Sequence, residues 1–172
     1  DLKNPHSRRQ GYPFVVCSSC GPRFTVIEAL PYDRGNTTMI DFPMCSDCQR
    51  EYLDPSDRRF HAEPVCCPVC GPDLSFSNLK RKISSGERAV KDAAEAIKSG
   101  KIVAVKGIGG THLAVKAISD EAVLRLRERR RRPAQPLAVM SPNTETVGRF
   151  AEMSEKEREL LISYRRPIIA LR

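Results

Sequence analysis

Cys45-Ser-Asp-Cys48 and, further on, Cys67-Pro-Val-Cys70-Gly71-Pro72 decide how this chain folds. Each Cys-x-x-Cys pair offers two thiolates from one tight turn, and 18 residues lie between the pairs. Two such pairs close a tetrahedral shell around one Zn2+ and leave no position for water. The spacing predicts a structural zinc site formed by Cys45, Cys48, Cys67 and Cys70, with no catalysis at the metal.

Working outward, the segment that ends in the second pair has a near copy upstream. Asn4 to Pro22 reads NPHSRRQGYPFVVCSSCGP, and Asp54 to Pro72 reads DPSDRRFHAEPVCCPVCGP. Pro5, Arg8, Arg9, Cys17, Cys20, Gly21 and Pro22 match Pro55, Arg58, Arg59, Cys67, Cys70, Gly71 and Pro72 at a constant offset of 50 residues. A gapless match of this kind marks a repeated structural unit. The positions matching Cys45 and Cys48 fall before residue 1. Cys17 and Cys20 are therefore expected to be the second half of a first finger whose opening pair lies upstream, which makes the chain a piece of a longer one. Cys66 matches Val16 and reads as a small buried hydrophobe. His6 and His61 are not repeat equivalents and read as loop residues. The recurring arginine pairs read as structural, bonding to loop carbonyls or to acids such as Asp54 and Asp57.

Of seven cysteines, six fall in three pairs. The start, Asp1-Leu2-Lys3-Asn4-Pro5, carries no signal pattern, so the thiols read as metal ligands in a reducing, cytoplasmic compartment. A thioredoxin-like redox site is disfavoured, since no βαβ pattern surrounds the pairs. With 40% hydrophobic and 29% charged residues the chain reads as a soluble globular protein. No apolar run approaches the roughly 20 residues of a membrane span. The net charge of +8 favours anionic partners without choosing among them.

After Phe76 the cysteines stop. Residues 77–89 are polar, include Ser84-Ser85-Gly86, and read as a linker. Val90, Ala93, Ala94 and Ile97 recur at helical spacing, with Gly100 as a left-handed cap. Ile102 to Val105 predicts a buried strand, and Gly107-Ile108-Gly109-Gly110-Thr111 a glycine-rich turn after it. A second strand follows from His112. Ser119 or Asp120 caps a helix through Leu126 that Pro133 stops. Leu137 to Met140 and Pro167 to Leu171 read as further strands, Thr144 to Phe150 as a short helix, and Ser154 with Glu157 as a capping box. The whole reads as an α+β protein: a small four-cysteine finger region, 1–76, with its complete finger at 45–72, and a sheet domain over 90–172. KGIGG fits neither common phosphate-loop fingerprint. It is equally a tight turn and a backbone cradle for phosphate. The run Arg125 to Arg132 is a solvated helix face or an anion patch.

CGPRFTVIEALPYDRGNTTMIDFPMC followed by EYLDPSDRRFHAEPVCCPVCGP closely resembles the finger region of the HypF carbamoyltransferases, which act in maturation of [NiFe] hydrogenases. That family carries four Cys-x-x-Cys pairs, and this chain shows the last three, at intervals of 24 and 18 residues. IKSGKIVAVKGIGGTHLAVKA, LRERRRRPAQPLAVM and RRPIIAL resemble the start of the YrdC-like twisted-sheet domain that follows. The resemblance implies an enzyme that uses carbamoyl phosphate and ATP, with Mg2+, to form carbamoyl-adenylate. A downstream domain then passes the carbamoyl group to the C-terminal cysteine of HypE, where it becomes a cyanide ligand of the hydrogenase iron. It implies a nucleotide and carbamoyl-phosphate site at Lys106, Gly107, Gly109, Gly110 and His112, with Arg130 and Arg132. Arg130 and Gln135 stand where family members commonly have lysines, Thr111 replaces an aromatic, and Lys116 replaces an acid. The isolated chain is expected to be inactive in full turnover. A competing reading is a zinc-dependent RNA-binding module using the basic surface. Against it, the second finger holds as many acids (Glu51, Asp54, Asp57, Glu63) as bases.

Overall fold

The structure is a computed structural model that describes residues 1–18 and 21–172. It divides into two compact units, Asp1–Lys116 and Ala117–Arg172, each described by itself.

The first unit begins with the repeat, and its backbone repeats as the sequence does. Ser7 N–H donates to Asn4 O and Asp57 N–H to Asp54 O, both at 3.0 Å. Gln10 to Ser7 matches Phe60 to Asp57 at 2.9 Å, and Gly21 to Cys17 matches Gly71 to Cys67 at 2.8 Å. The left-handed turn residue also recurs, as Gly11 with φ 68° and His61 with φ 48°. Few of these turns belong to regular elements, so each copy relies on its own hydrogen bonds and on side-chain staples. Between the copies run two short 3-10 turns, Arg34–Asn36 and Thr38–Asp41. Helix α1, Ser46–Leu53, starts directly at Cys45.

The core here is small: Tyr12, Met39 and Cys66, with Phe14, Val15, Phe42 and Cys70 against it. Cys66 is 3% exposed, consistent with its repeat match to Val16. Arg34 supplements the core by donating to the carbonyls of Glu63, Val65 and Phe42. A hydrophobic cluster of this size stabilises a domain only with additional staples, such as a structural metal.

Residues 77–89 do not form the featureless linker their polar composition suggests. Strands β1, Ser75–Ser77, and β2, Lys82–Ser85, pair antiparallel, and helix α2, Gly86–Lys98, follows at once. The turn is held by Asn78, whose side-chain oxygen accepts from the N–H of Lys80 and Arg81 at 2.9 and 3.0 Å. This side-chain mimic of a backbone turn needs no apolar residues, so hydropathy does not reveal it. Helix α2 packs against β1, β2 and the next strand, burying Ala89 and Ala96. Its end is capped as expected: Gly100, at φ 78°, donates to Ile97 O at 2.9 Å, and Lys101 to Ala96 O at 3.0 Å. Strands β3, Val103–Gly107, and β4, Gly110–Ala114, then form a hairpin over Ile108-Gly109.

The second unit holds α3, Asp120–Arg130, α4, Thr144–Val147, and α5, Glu155–Ile162. Ser119 caps α3 by accepting from Ala122 N–H, and Ser154 with Glu157 forms the capping box of α5. Helix α3 ends before Pro133, at Arg131, a non-glycine residue at φ 51°. Leu137 to Met140 and Pro167 to Leu171, expected as strands, have no strand partners among the described residues. Their apolar pattern signals a tendency to be covered, but a strand exists only where a neighbour accepts its hydrogen bonds; Met140 and Ile168 are 98% and 85% exposed. Helix and strand are thus mixed as expected, with strands confined to two hairpins among the described residues. No described helix is long and apolar enough to cross a membrane.

Candidate metal centre and hairpin site

Cys45 sits in extended backbone just before α1, and Cys48 lies in the first helical turn. Cys67 and Cys70 lie on the second turn, closed by Cys70 N–H and Gly71 N–H donating to Cys67 O at 3.1 and 2.8 Å. Gly71 is required by close approach: a Cβ there would lie 2.7 Å from the Cβ of Cys66 and 2.8 Å from its sulfur. The four sulfurs lie within 4.8 Å of one another. Three of their separations are 3.7 Å (Cys45–Cys67), 3.7 Å (Cys67–Cys70) and 3.6 Å (Cys48–Cys70). A Zn–S bond of about 2.3 Å gives a tetrahedron with edges of about 3.8 Å. The cysteines are unbridged, so the four sulfurs are placed as donors for a metal ion and not as a pair of disulfides. The donor set and its dimensions fit one zinc ion.

The electrostatics agree. Burial pushes the Cys48 thiol up to about 12, against the pull of Arg8. Burial also opposes ionisation of Cys45, but the backbone N–H of Cys48 and the neighbouring thiols outweigh it and bring Cys45 to about 7. Four thiolates crowded in a half-buried site need a cation at their centre. In the first repeat Cys17 is exposed, and Cys20 lies outside the described residues.

Sequence reasoning missed the neighbours of these sulfurs. Arg8 Nη2 and Arg9 Nη2 donate to Cys48 Sγ at 3.2 and 3.3 Å. Both arginines also bond Glu51 in α1, and Arg9 Nε donates to Cys66 O at 2.7 Å. Burial opposes the charge of Glu51, yet hydrogen bonds from Arg9 and Arg8 hold its carboxyl below the usual range. The other pair, Arg58 and Arg59, bonds Asp1 at 2.7 and 2.6 Å, and Arg59 lies 3.7 Å from Asp57. Structural roles for both pairs were anticipated; the acids are chiefly Glu51 and Asp1. The available signal was that Asp1 and Glu51 are themselves 50 residues apart.

In the hairpin, Lys106 pairs with Thr111, Val105 with His112, and Gly107 with Gly110. Side chains alternate along a strand, so Lys106 and His112 lie on opposite faces. The hairpin thus brings Lys106, Gly107, Gly109 and Gly110 to one tip but does not put His112 beside Lys106. Gly110 has φ 150°, which a side chain would resist. In the second unit Arg130 is exposed at the end of α3. Arg132 Nε donates to the side-chain oxygen of Gln135, while Arg127 Nη1 holds the carbonyls of Arg132, Pro133 and Gln135 at 3.2, 3.3 and 2.8 Å.

Two family models match. One, described as HypF finger, covers 1–27 and 44–77; the other, described as telomere recombination and spanning Sua5, YciO and YrdC proteins, covers 95–171. The chain is 45% identical over 164 residues to a carbamoyltransferase HypF of Rhodobacter capsulatus, covering 95% of this chain and 22% of that protein. It is 49% identical over 172 residues to a probable carbamoyltransferase HypF of Methanocaldococcus jannaschii, covering 100% of this chain and 22% of that protein. Among solved structures, T. kodakarensis HypF superimposes with a TM-score of 0.94 at 54% identity, covering 99% of this chain and 22% of that one. A full-length HypF in a phosphate- and nucleotide-bound form gives 0.86 at 50% identity with the same coverage. The chain spans about a fifth of these relatives, 22% of their length. With the two matches falling on the stretches that carry the four-cysteine cluster and the hairpin, the chain carries a HypF-type finger region followed by a YrdC-like segment and is similar along its whole length to HypF proteins.

Proposed function

We propose that this chain is part of a cytoplasmic carbamoyltransferase that makes carbamoyl-adenylate from carbamoyl phosphate, water and Mg2+-bound ATP, releasing phosphate and pyrophosphate. The carbamoyl group then goes to the C-terminal cysteine of a HypE-like acceptor, toward the cyanide ligands of [NiFe] hydrogenase. The observation that carries this reading is similarity across the whole chain to HypF carbamoyltransferases, including one solved with phosphate and nucleotide bound. In this reading the chain comprises a finger region, residues 1–76, and a YrdC-like part that begins near residue 90.

Zinc at Cys45, Cys48, Cys67 and Cys70 is structural, because the shell of four sulfurs leaves no open position; Cys17 and Cys20 contribute to a first site. At the hairpin tip, Lys106 supplies a cation, and the backbone at Gly107, Gly109 and Gly110 approaches a phosphate without obstruction by side chains. Arg130 and Arg132 supply charge to the departing phosphate and to the nucleotide, stabilising anionic character that grows in the transition state. Gln135, standing where family members commonly have a lysine, accepts a hydrogen bond from Arg132 and supplies no charge of its own. His112, exposed on the far hairpin face, would serve a ligand that reaches around the strand edge.

The test uses the full-length protein. Carbamoyl-phosphate-dependent exchange of pyrophosphate into ATP should fall about 100-fold or more in Lys106→Ala and Arg132→Ala, as for loss of a charge-stabilising donor. Unchanged exchange in both variants would sink the assignment. The isolated chain should show no exchange.

Arg129, Arg130 and Arg131, exposed at the end of α3, favour a second reading as an RNA-binding surface. Binding that weakens steeply with salt and survives removal of nucleotide substrates would favour it.

A further inference from the structure

The two repeats exchange their arginines. Arg8 and Arg9 belong to the first copy, yet their guanidinium groups reach Cys48 and Glu51 in the second. Arg58 and Arg59 belong to the second copy and reach Asp1 in the first. Asp1 and Glu51 occupy equivalent positions, 50 residues apart, as do the arginine pairs. The contact is thus reciprocal in that each arginine pair meets the acid of the other copy, while Arg59 also lies 3.7 Å from Glu51 of its own. In the half where the thiol cage is present, the arginines pass beyond the carboxylate to the sulfur.

A zinc ion held by four thiolates leaves a net double negative charge on the cluster. A guanidinium 3.2 to 3.3 Å from a sulfur offsets that charge and donates a charge-assisted hydrogen bond to it. Arg9 is built for this task. Its side chain is 3% exposed, and Glu51 and Cys66 O take its other N–H groups, which fixes the direction of its fork. Arg8 adds a second donor to Cys48 and comes within 4.0 Å of Cys45.

We propose that Arg8 and Arg9 are positioning residues for the metal of the other repeat: they cap the Cys48 thiolate, with Glu51 orienting them, so that the second finger reaches full metal affinity only when the first repeat is docked on it. The proposal rests on the zinc reading given above and adds a dependence of one repeat on the other. Docking and metal binding then strengthen each other by the same factor.

Full-length protein is loaded with zinc, and zinc transfer to a chromogenic chelator is followed in the parent, Arg8→Gln, Arg9→Gln and Arg50→Gln. Cys67→Ala identifies the release phase that belongs to the second finger. That phase should show affinity lowered about 10- to 100-fold in Arg9→Gln, the range for loss of a group bonded to a metal ligand, with a smaller loss in Arg8→Gln. Arg50, whose side chain bonds Asp47 on the surface and no other acid among the described residues, is the matched charge control and should not change it. A cobalt-loaded sample adds a readout that packing alone would not move. Losing a donor to sulfur raises the energy of its lone pairs, so the thiolate-to-cobalt charge-transfer band should shift to lower energy in Arg8→Gln. Arg8 is partly exposed and its replacement spares the core, so this variant reports even if Arg9→Gln fails to fold. Parent-like affinity and an unshifted band in Arg8→Gln, or an equal loss in Arg50→Gln, overturns the proposal. A parent that takes up no metal overturns the zinc reading itself, and the proposal with it.

Discussion

Tyr52 places its hydroxyl 2.9 Å from both carboxylate oxygens of Glu63, a residue only 3% exposed. The nearest cationic candidate, His61 Nδ1, is 4.0 Å away and charged only if protonated. The phenol is therefore the main hydrogen-bond donor to a buried acid. Burial first, and the neighbouring Glu63 second, push the Tyr52 hydroxyl up to about 12. Tyr52→Phe should cost about 1.5–3 kcal/mol, the range for a hydrogen bond to a charged group. The pH dependence has a definite sign. The folded state holds this proton more tightly than the unfolded state, whose value is 10.0. The contribution is complete below pH 10 and is lost as pH rises through about 12. Melting curves of parent and variant should differ by a constant amount at lower pH and converge over that window.

Arg131 offers a gain. It adopts φ 51° at the end of α3, where its N–H donates to Glu128 O and that of Arg132 donates to Arg127 O. This is the geometry that Gly100 serves after α2, but a side chain there costs about 1 kcal/mol. Arg131→Gly should stabilise α3 by up to about 1 kcal/mol, less the extra freedom glycine has when unfolded. Chemical denaturation followed by helical circular dichroism measures it, and a destabilised variant would contradict the geometry.

Gly71→Ala should act in the opposite direction. The added methyl would press on Cys66, which is buried against Tyr12. Overpacking of this kind costs about 1–3 kcal/mol. Because the strained turn also carries Cys70, the variant should lose zinc to a chelator faster than the parent. Thermal melting and chelator competition on the same sample would show both effects together.

Metal removal should act on the first unit's finger region before its hairpins. The cluster around Tyr12, Met39 and Cys66 borders Cys70, so stripping the metal withdraws a staple from a small core. Hydrogen exchange after chelation should accelerate at the amides of Cys70, Gly71 and Gln49. The paired amides of β3 and β4 should change less. Uniform acceleration would mean that the metal stabilises the whole unit.

The parts of this structure that follow from local spacing were legible in the sequence. Cys-x-x-Cys turns, the helix cap at Gly100, the cap at Ser119 and the capping box at Ser154 each depend on residues within a few positions of one another. The repeat could be read from a constant offset, and its hydrogen bonds followed. What stayed hidden depended on which distant group a side chain or strand would meet. Arg9 was recognisable as structural, but not as a donor to Cys48, 39 positions away and in the other copy. Leu137 to Met140 has the composition of a strand without a described partner, and residues 78–81 make a turn from polar atoms that hydropathy does not register. The opposition of Lys106 and His112 was latent in the sequence, since a two-residue turn at Ile108-Gly109 fixes the faces, but it required the register.

Arg34 bears on how this segment tolerates change in length. Its guanidinium ties the carbonyl of Phe42, just ahead of one cysteine pair, to those of Glu63 and Val65, just ahead of the other. The stretch from Arg34 to Phe42 therefore works as a fixed spacer, like a gauge block between two jaws. An insertion in this stretch would pull the fork off its carbonyls and spread the jaws, whereas one at the exposed turn of Leu79 and Lys80 would be absorbed in solvent. For anyone wishing to graft a reporter or an affinity tag into this region, that turn is the place to cut.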